Sequence, residues 1–196
     1  QYTVSSEVDD RTLHEIYLPA FEAAIQRGGA MTVMAAYNKV RGLWCTESSY
    51  LLDSLLRGEL GFDGMVVSDW NAVHNTERTA LCGMDVEMGT NIKGNGKEMF
   101  KQYYLADPLL QKVQNGEIPE EAVNRKVRNI LKLMLRLDLI GKAPYDTTGM
   151  AAKLATPAHC SIAREIAEES FVLLRNSNHM LPLNPAHYKK IAVIGA

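Results

Sequence analysis

The sequence predicts an α/β fold built on a parallel sheet, and three observations carry that prediction. Two short runs, residues 31–37 and 65–69, are mostly apolar, as expected for strands that are buried on both faces. A third strand candidate, at 85–88, follows a helical crossover that is long enough to return to a parallel neighbour. Because helical segments alternate with these strands, a barrel or a doubly wound sheet is expected.

The helices are predicted from apolar residues that recur at helical spacing. The first covers residues 9–27, and Pro19 inside it is expected to kink or split the helix because proline has no N–H donor. The second covers 46–57, with Thr46 as its N-cap and leucines facing inward. Further helices are predicted over 73–81, 105–114, 120–140 and 156–169. The inward face of the helix over 120–140 is predicted to comprise Val123, Val127, Ile130, Leu131, Met134 and Leu137.

A domain boundary is predicted at residues 141–157, which contain glycine, proline and threonine but no hydrophobic period. Residues 1–140 form the first predicted domain, and 158–196 begin a second one with strands at 171–174 and 191–195. A parallel barrel needs eight strands and typically ~250 residues, whereas only about three strands precede this linker. The chain is therefore expected to be part of a longer barrel protein, completed by the same enzyme or by another chain.

The composition excludes several classes of partner. Lysine plus arginine total 21 and aspartate plus glutamate total 23, so the net charge of −2 gives no reason to expect nucleic acid or an anionic membrane. No apolar run is long enough to span a bilayer. Three cysteines are too few and too irregularly spaced for a disulfide scaffold or a zinc site. They do not indicate a compartment. Gln1 does not look like a natural start, which is compatible with the loss of a signal peptide. A periplasmic or secreted location is slightly favoured over a cytoplasmic one.

Asp69 is the most informative polar residue, because it ends an apolar strand and is followed by an indole, Trp70. Catalytic groups of parallel barrels lie at the carboxyl ends of the strands. A carboxylate at that position can attack an anomeric carbon, and an indole offers a flat apolar face to a sugar ring. The alternative is that Asp69 caps the following helix, although Asn71 is equally suited to that role.

The segment from Gly61 to Trp70, with the sequence GFDGMVVSDW, resembles the nucleophile segment of glycoside hydrolase family 3. The resemblance continues in order along almost the whole chain. The segments that carry it have the sequences DRTLHEIYLPAF at 10–21, VMAAYN at 33–38, GMDVEM at 83–88, AREIAEES at 163–170, VLLRN at 172–176, LPL at 181–183 and IAVIG at 191–195. The fold that this resemblance implies is the C-terminal portion of a (β/α)8 TIM-like barrel, followed by the first elements of an α/β sandwich domain.

The resemblance also implies roles for individual residues. Asp69 matches the catalytic nucleophile of a retaining β-glucosidase-like enzyme, and Tyr37 matches the tyrosine that positions it. Trp70 matches an aromatic wall near the scissile bond, and Met34 matches a residue near the sugar pocket. The substrate implied is a β-linked oligosaccharide or glycoside. No metal or organic cofactor is implied, because carboxylate chemistry suffices for this reaction.

Other polar residues near the strand ends are given structural interpretations. Asp85 and Glu87 are expected to pair with nearby donors, and His74 and Arg78 to be solvated helix residues. The resemblance implies that the acid/base glutamate lies beyond residue 196 and that most sugar-binding residues precede this chain. The polypeptide alone is therefore expected to be inactive.

Two other functions are compatible with the same residues. The first is the same chemistry on another β-glycoside, such as a xyloside, an arabinoside or an N-acetylglucosaminide. The second is a non-catalytic α/β sugar-binding module. The glycine after the strand predicted at 191–195 is also compatible with a dinucleotide-binding turn, but a single glycine is a weak signal.

Overall fold

The computed structural model describes residues 2–89, 97–141, 147–188, 190–192 and 194–195. The chain divides into two compact units, residues 1–142 and 143–196. Residues 142–146 of the predicted linker lie outside the described ranges. Within those ranges, no helix is long and apolar enough to cross a membrane.

The first unit combines short strands with longer helices. Its strands are β1 (Ser5–Ser6), β2 (Thr32–Ala35), β3 (Lys39–Val40), β4 (Leu43–Trp44) and β5 (Met65–Ser68). Helix α1 runs without interruption through Asp10–Thr12, Leu13–Tyr17, Leu18–Glu22 and Ala23–Arg27. The other helices are α2 (Tyr50–Glu59), α3 (Thr76–Leu81), α4 (Lys97–Phe100), α5 (Asp107–Gln114) and α6 (Glu120–Arg136).

The predicted parallel sheet is confirmed. Strands β2 and β5 are parallel, with Ala35 opposite Ser68, and Val86 continues the order through a parallel bridge to Val67. The third strand is thus reduced to one bridge, although the Ser68 N–H still donates to the Val86 carbonyl at 2.8 Å. Helix α2 covers one face of this sheet. The core between them comprises Ala35, Leu52, Leu56, Phe62, Val66, Cys82 and Met84.

Helix α1 continues through Pro19, so the predicted split does not occur. The Asp9 carboxylate caps the helix by accepting from the Thr12 N–H at 2.8 Å. In the turn before the proline the hydrogen bonds are π-type, and the Leu18 N–H bonds to the Leu13 carbonyl. This wider turn lets the helix continue past a residue that cannot donate.

Helix α2 starts at Tyr50, and the prediction that Thr46 caps it is wrong. Thr46 lies in a short 3₁₀ turn, Cys45–Glu47, and its buried hydroxyl donates to the Ala72 carbonyl at 2.7 Å. Ser48 takes the capping role, since its Oγ accepts from the Leu51 N–H at 3.2 Å. The hydroxyl of Thr46 is thus used for a tertiary contact.

A β-hairpin that the apolar pattern does not reveal joins β3 to β4. Its loop residues, Arg41 and Gly42, both have positive φ, at 52° and 79°, as the tight two-residue hairpin turn requires. Strand β1 pairs with β3 in parallel, so these three strands form a second small sheet.

The face that α6 presents to the core agrees in part with the predicted one, since Val123, Ile130 and Met134 are partly buried. Val127, Leu131 and Leu137 are exposed, whereas Ala122 and Lys126 are buried. The Lys126 ammonium donates to the carbonyl oxygens of Thr79, Cys82 and Met84, and burial lowers its pKa to about 8. Apolar periodicity does not reveal Lys126 as an inward residue, because its burial depends on bonds to carbonyl groups.

The second unit contains α7 (Met150–Lys153) and α8 (Pro157–Ser170). The helix predicted over 156–169 is confirmed, and the Thr156 hydroxyl caps it by accepting from the His159 N–H at 3.3 Å. The strands predicted at 171–174 and 191–195 are not formed in the described residues, and residue 193 lies outside them. A strand needs a neighbour for its N–H and C=O groups, and none of the described residues of this unit pairs with these segments.

Candidate active site

Asp69 follows β5 directly and stands at the carboxyl end of the parallel sheet. Its N–H donates to the Ala35 carbonyl at 3.0 Å, which continues the β2–β5 pairing by one residue. One carboxylate oxygen, Oδ1, accepts from the Trp70 N–H at 2.8 Å. The side chain is only half-buried, so the carboxylate remains reachable from solvent.

Asp69 does not cap the helix that follows it. The Asn75 side chain is the N-cap of α3, where it accepts from the Arg78 N–H at 2.9 Å. Asn71, the capping residue considered from the sequence, instead has a positive φ of 59° in the turn after Trp70. The carboxylate of Asp69 therefore does not serve as a helix cap.

Tyr37 and Asp69 lie side by side. A hydrogen-bonding interaction with the Asp69 carboxylate raises the pKa of Tyr37 to about 12, because a phenolate beside a carboxylate is disfavoured. The phenol thus keeps its proton and can donate it to the carboxylate. The ring of Tyr2 packs against that of Tyr37, with centroids 4.6 Å apart.

Met34 lies on the same face of the sheet as Asp69. It is opposite Val67 in the β2–β5 register, and side chains two positions apart on a strand point the same way. Its side chain is exposed, as is that of Trp70, which is 51% accessible. The structure therefore places Tyr37 and Trp70 just beyond the carboxyl ends of β2 and β5. Met34 lies within β2, on the sheet face that Asp69 shares.

The segment between Asp69 and α3 is anchored by Thr46, which was considered from the sequence only as a helix cap. Its hydroxyl donates to the Ala72 carbonyl at 2.7 Å. Burial raises the pKa of the nearby Glu47, while the charge of Arg78 and the His74 backbone oppose the rise. The sequence signal for this segment is its polar residues just after a strand. The spacing of these residues does not reveal which side chains contact them.

Arg78 is an exposed residue of α3, as predicted, whereas His74 is exposed but lies before that helix. His74 precedes α3, and its ring stacks on Trp44 with centroids 4.0 Å apart. Burial lowers the pKa of His74, and the charge of Lys39 lowers it further. Arg78 is on α3 and its guanidinium lies 3.7 Å from the Glu47 carboxylate.

Asp85 and Glu87 make structural contacts, in agreement with their interpretation from the sequence. The Asp85 carboxylate accepts from the Arg57 guanidinium at 2.7 Å and from the Val66 N–H at 2.8 Å. Glu87 accepts from the Leu105 N–H at 2.8 Å, and burial raises its pKa. Both carboxylates therefore join the sheet to its surroundings.

A groove of about 640 Å³ is lined mainly by apolar residues of α1, β2 and α2, and Met34 is among them. Asp69, Tyr37 and Trp70 do not line it. Among the described residues, no group of three or more histidine, cysteine or acidic side chains is arranged to bind a metal ion.

Fold and site together define a class of protein: an α/β domain with a carboxylate at the carboxyl edge of its parallel strands. Residues 2–133 match the model of the glycosyl hydrolase family 3 N terminal domain. The chain belongs to glycoside hydrolase family 3, which confirms the resemblance and the fold class predicted from the sequence.

Curated relatives and solved structures agree with that assignment. The chain is 40% identical over 200 residues to beta-glucosidase BoGH3A of Bacteroides ovatus, and 39% identical over 193 residues to a beta-glucosidase of Rhizobium radiobacter. These matches cover 98% of this chain but 26% and 22% of the relatives. DesR, a beta-glucosidase from Streptomyces venezuelae solved with D-glucose, matches with a TM-score of 0.72 and 33% identity. That match covers 93% of this chain and 23% of DesR, so the chain spans about a quarter of the length of these relatives.

Proposed function

We propose that this chain belongs to a retaining β-glycoside hydrolase, resembling a β-glucosidase, that removes terminal β-linked sugars through a covalent intermediate on Asp69. The observation that supports it best is the Asp69 carboxylate beside the Tyr37 phenol, at the strand end where barrel enzymes place catalytic groups. The relatives named above are beta-glucosidases, which favours glucosides as substrates.

In the first step, an Asp69 oxygen attacks the anomeric carbon as the bond to the leaving-group oxygen breaks. A protonated acid outside this chain gives its proton to that oxygen. Water then hydrolyses the glycosyl ester and restores the configuration of the sugar. Tyr37 keeps its proton throughout and holds the carboxylate in position, while Trp70 provides the wall for the departing group.

The isolated polypeptide is expected to be inactive as a hydrolase. General acid catalysis contributes typically 10²–10⁴-fold, and the acid expected from the family resemblance lies outside this chain. Purified residues 1–196 should therefore show no turnover of an aryl β-glucoside above a blank, whereas the full-length protein should. Turnover by the isolated chain at the full-length rate would contradict this expectation.

Trapping tests the proposal on the full-length protein. A dinitrophenyl 2-deoxy-2-fluoro-β-glucoside should release one dinitrophenolate per enzyme and leave a fluoroglucosyl adduct. The fluorine slows both steps, while the good leaving group lets the first one proceed. Intact mass should show a single addition, and peptide mapping should place it on Asp69.

The outcomes separate the competing functions. An adduct on another residue would refute the role of Asp69. An adduct that forms only with the corresponding fluoroxyloside would move the substrate to xylosides within the same chemistry. Saturable binding of glucosides without any adduct would indicate a sugar-binding module.

A further inference from the structure

The chain turns sharply directly after β5, and the candidate nucleophile is the first residue of that turn. The Ala72 N–H donates to the Asp69 carbonyl at 3.3 Å, which closes a four-residue turn. Asn71, at its third position, has a positive φ of 59°, a conformation that asparagine adopts more readily than most residues. We call residues 69–72 the nucleophile turn.

The direction of the Asp69 carboxylate depends on this turn. Its Oδ1 accepts from the N–H of Trp70, the second residue of the turn, at 2.8 Å. The N–H of Asp69 is instead held by the sheet, because it donates to the Ala35 carbonyl. The sheet therefore fixes where the nucleophile stands along the strand, and the nucleophile turn fixes how its side chain is oriented.

A side chain from another segment holds the far end of the nucleophile turn. The Thr46 hydroxyl donates to the Ala72 carbonyl at 2.7 Å. Thr46 is 0% exposed and Ala72 is 1% exposed, so water cannot readily replace this donor. Loss of the hydroxyl would leave a buried carbonyl without it, and a buried acceptor that loses its donor is costly.

Thr46 is in turn fixed by contacts of its own. It belongs to the 3₁₀ turn Cys45–Glu47 that directly follows β4, and its carbonyl accepts from the Cys82 thiol at 3.3 Å. The preceding residue, Cys45, donates its N–H to the Asn38 carbonyl at 3.1 Å. The hydroxyl of Thr46 thus joins the nucleophile turn to a hairpin and a core that are already in place.

We propose that Thr46 is a positioning residue for the nucleophile: its hydroxyl, through the Ala72 carbonyl, holds the nucleophile turn in the form that orients the Asp69 carboxylate. This inference rests on the function proposed above, in which Asp69 attacks the anomeric carbon. A relaxed turn should slow that attack, because the reacting atoms must be aligned closely. Substrate binding should change little, because the side chain of Thr46 is fully buried.

Adduct formation on the full-length protein separates these two effects. With the dinitrophenyl 2-deoxy-2-fluoro-β-glucoside, the concentration dependence of inactivation gives a rate constant for the first step and an apparent dissociation constant. Thr46→Val keeps a similar volume and removes the hydroxyl. It should lower the rate constant by about 10-fold, since misplacement by about 1 Å can cost up to 10²-fold. The dissociation constant should stay close to that of the parent.

The conservative variant and a matched control test whether the hydroxyl itself is responsible. Thr46→Ser keeps the donor and should retain the rate constant within about 3-fold of the parent. Thr79 on α3 is also 0% exposed, and among the described residues its Oγ1 has no hydrogen-bond partner. The same substitution there, Thr79→Val, should leave both constants unchanged.

The amount of dinitrophenolate released per enzyme reports the fraction of active sites, and so distinguishes positioning from a general effect on folding. Thr46→Val would overturn the proposal if it lowered that amount while the remaining sites reacted at the parent rate. A loss in Thr46→Ser equal to that in Thr46→Val would also overturn it.

If Thr46→Val does not fold, Thr46→Cys provides the test, because a thiol is a weaker donor than a hydroxyl. Its rate constant should lie clearly below that of Thr46→Ser, and a rate equal to that of the parent would reject the role of Thr46. Failure of the proposed function gives a different result, because the parent protein would then form no fluoroglucosyl adduct at all.

Discussion

Replacing Asp69 with alanine is expected to lower kcat of the full-length protein for an aryl β-glucoside by on the order of 10⁴-fold or more. Removing the nucleophile of a covalent mechanism eliminates the pathway, and losses of this size are typical for such residues. The backbone of the variant should be unaffected, because the Asp69 N–H bond to the Ala35 carbonyl does not involve the side chain. Steady-state kinetics and a far-ultraviolet spectrum measure both effects.

Azide distinguishes loss of the nucleophile from general damage to the site. The alanine variant leaves room where the carboxylate stood, and azide can attack the anomeric carbon from that side. The aryl leaving group departs as phenolate and the product is the α-glucosyl azide, of inverted configuration. Azide should therefore restore turnover in Asp69→Ala in a concentration-dependent way and should not do so in the parent protein.

Asp63 supplies the matched control for this variant. It precedes β5, at the opposite end of the strand from Asp69, and its exposed carboxylate pairs with Lys132 and Arg136. Exposed ion pairs contribute about 0–1 kcal/mol, so Asp63→Asn should retain kcat within about 3-fold. A loss of less than about 10-fold in Asp69→Ala, or no azide product, would contradict the assignment of the nucleophile.

The sheet and the residues around Asp69 follow from local sequence properties, which explains why they could be predicted. Apolar runs locate β2 and β5, and parallel pairing brings their carboxyl ends together. The residues just beyond each run, Tyr37 and Asp69, then become neighbours without further information. Only the family resemblance, however, gives them catalytic roles.

The contacts that hold the site together could not be predicted, because they depend on tertiary geometry. Glu47 looks like an ordinary helix residue in the sequence, yet it is buried, and its carboxylate lies 3.7 Å from the guanidinium of Arg78 on α3. Lys126 faces inward although the hydrophobic pattern does not predict it, because its ammonium group donates to three carbonyl oxygens. The segments 171–174 and 191–195 show the opposite case: their sequences favour strands, but strand propensity alone does not supply a neighbouring strand to pair with.

The largest stability effect is expected at Asp85, whose side chain is 1% exposed. Its carboxylate accepts from the Arg57 guanidinium at 2.7 Å, the Val66 N–H at 2.8 Å and the Asn129 amide at 2.8 Å. Asp85→Ala leaves the half-buried guanidinium and a buried backbone N–H without this acceptor. Removing one member of a buried pair typically costs 3–5 kcal/mol, so the free energy of unfolding should fall by about that amount. Urea unfolding followed by circular dichroism and fluorescence measures it where the two probes coincide.

Asp85→Asn and Asp63→Ala separate the contribution of charge from that of burial. The asparagine keeps one acceptor oxygen and the shape of the side chain, so it should lose less than the alanine variant. Asp63→Ala removes an exposed carboxylate that also joins α6 to the region of β5, and should cost no more than about 1–2 kcal/mol. Arg57 also donates to the Gly64 and Gly83 carbonyls, at 3.0 and 2.9 Å, so Asp85 orients a guanidinium that joins the starts of two neighbouring strands. If Asp85→Ala costs no more than Asp63→Ala, the strand starts are held by the carbonyl bonds alone, and the buried carboxylate is not the junction that its contacts indicate.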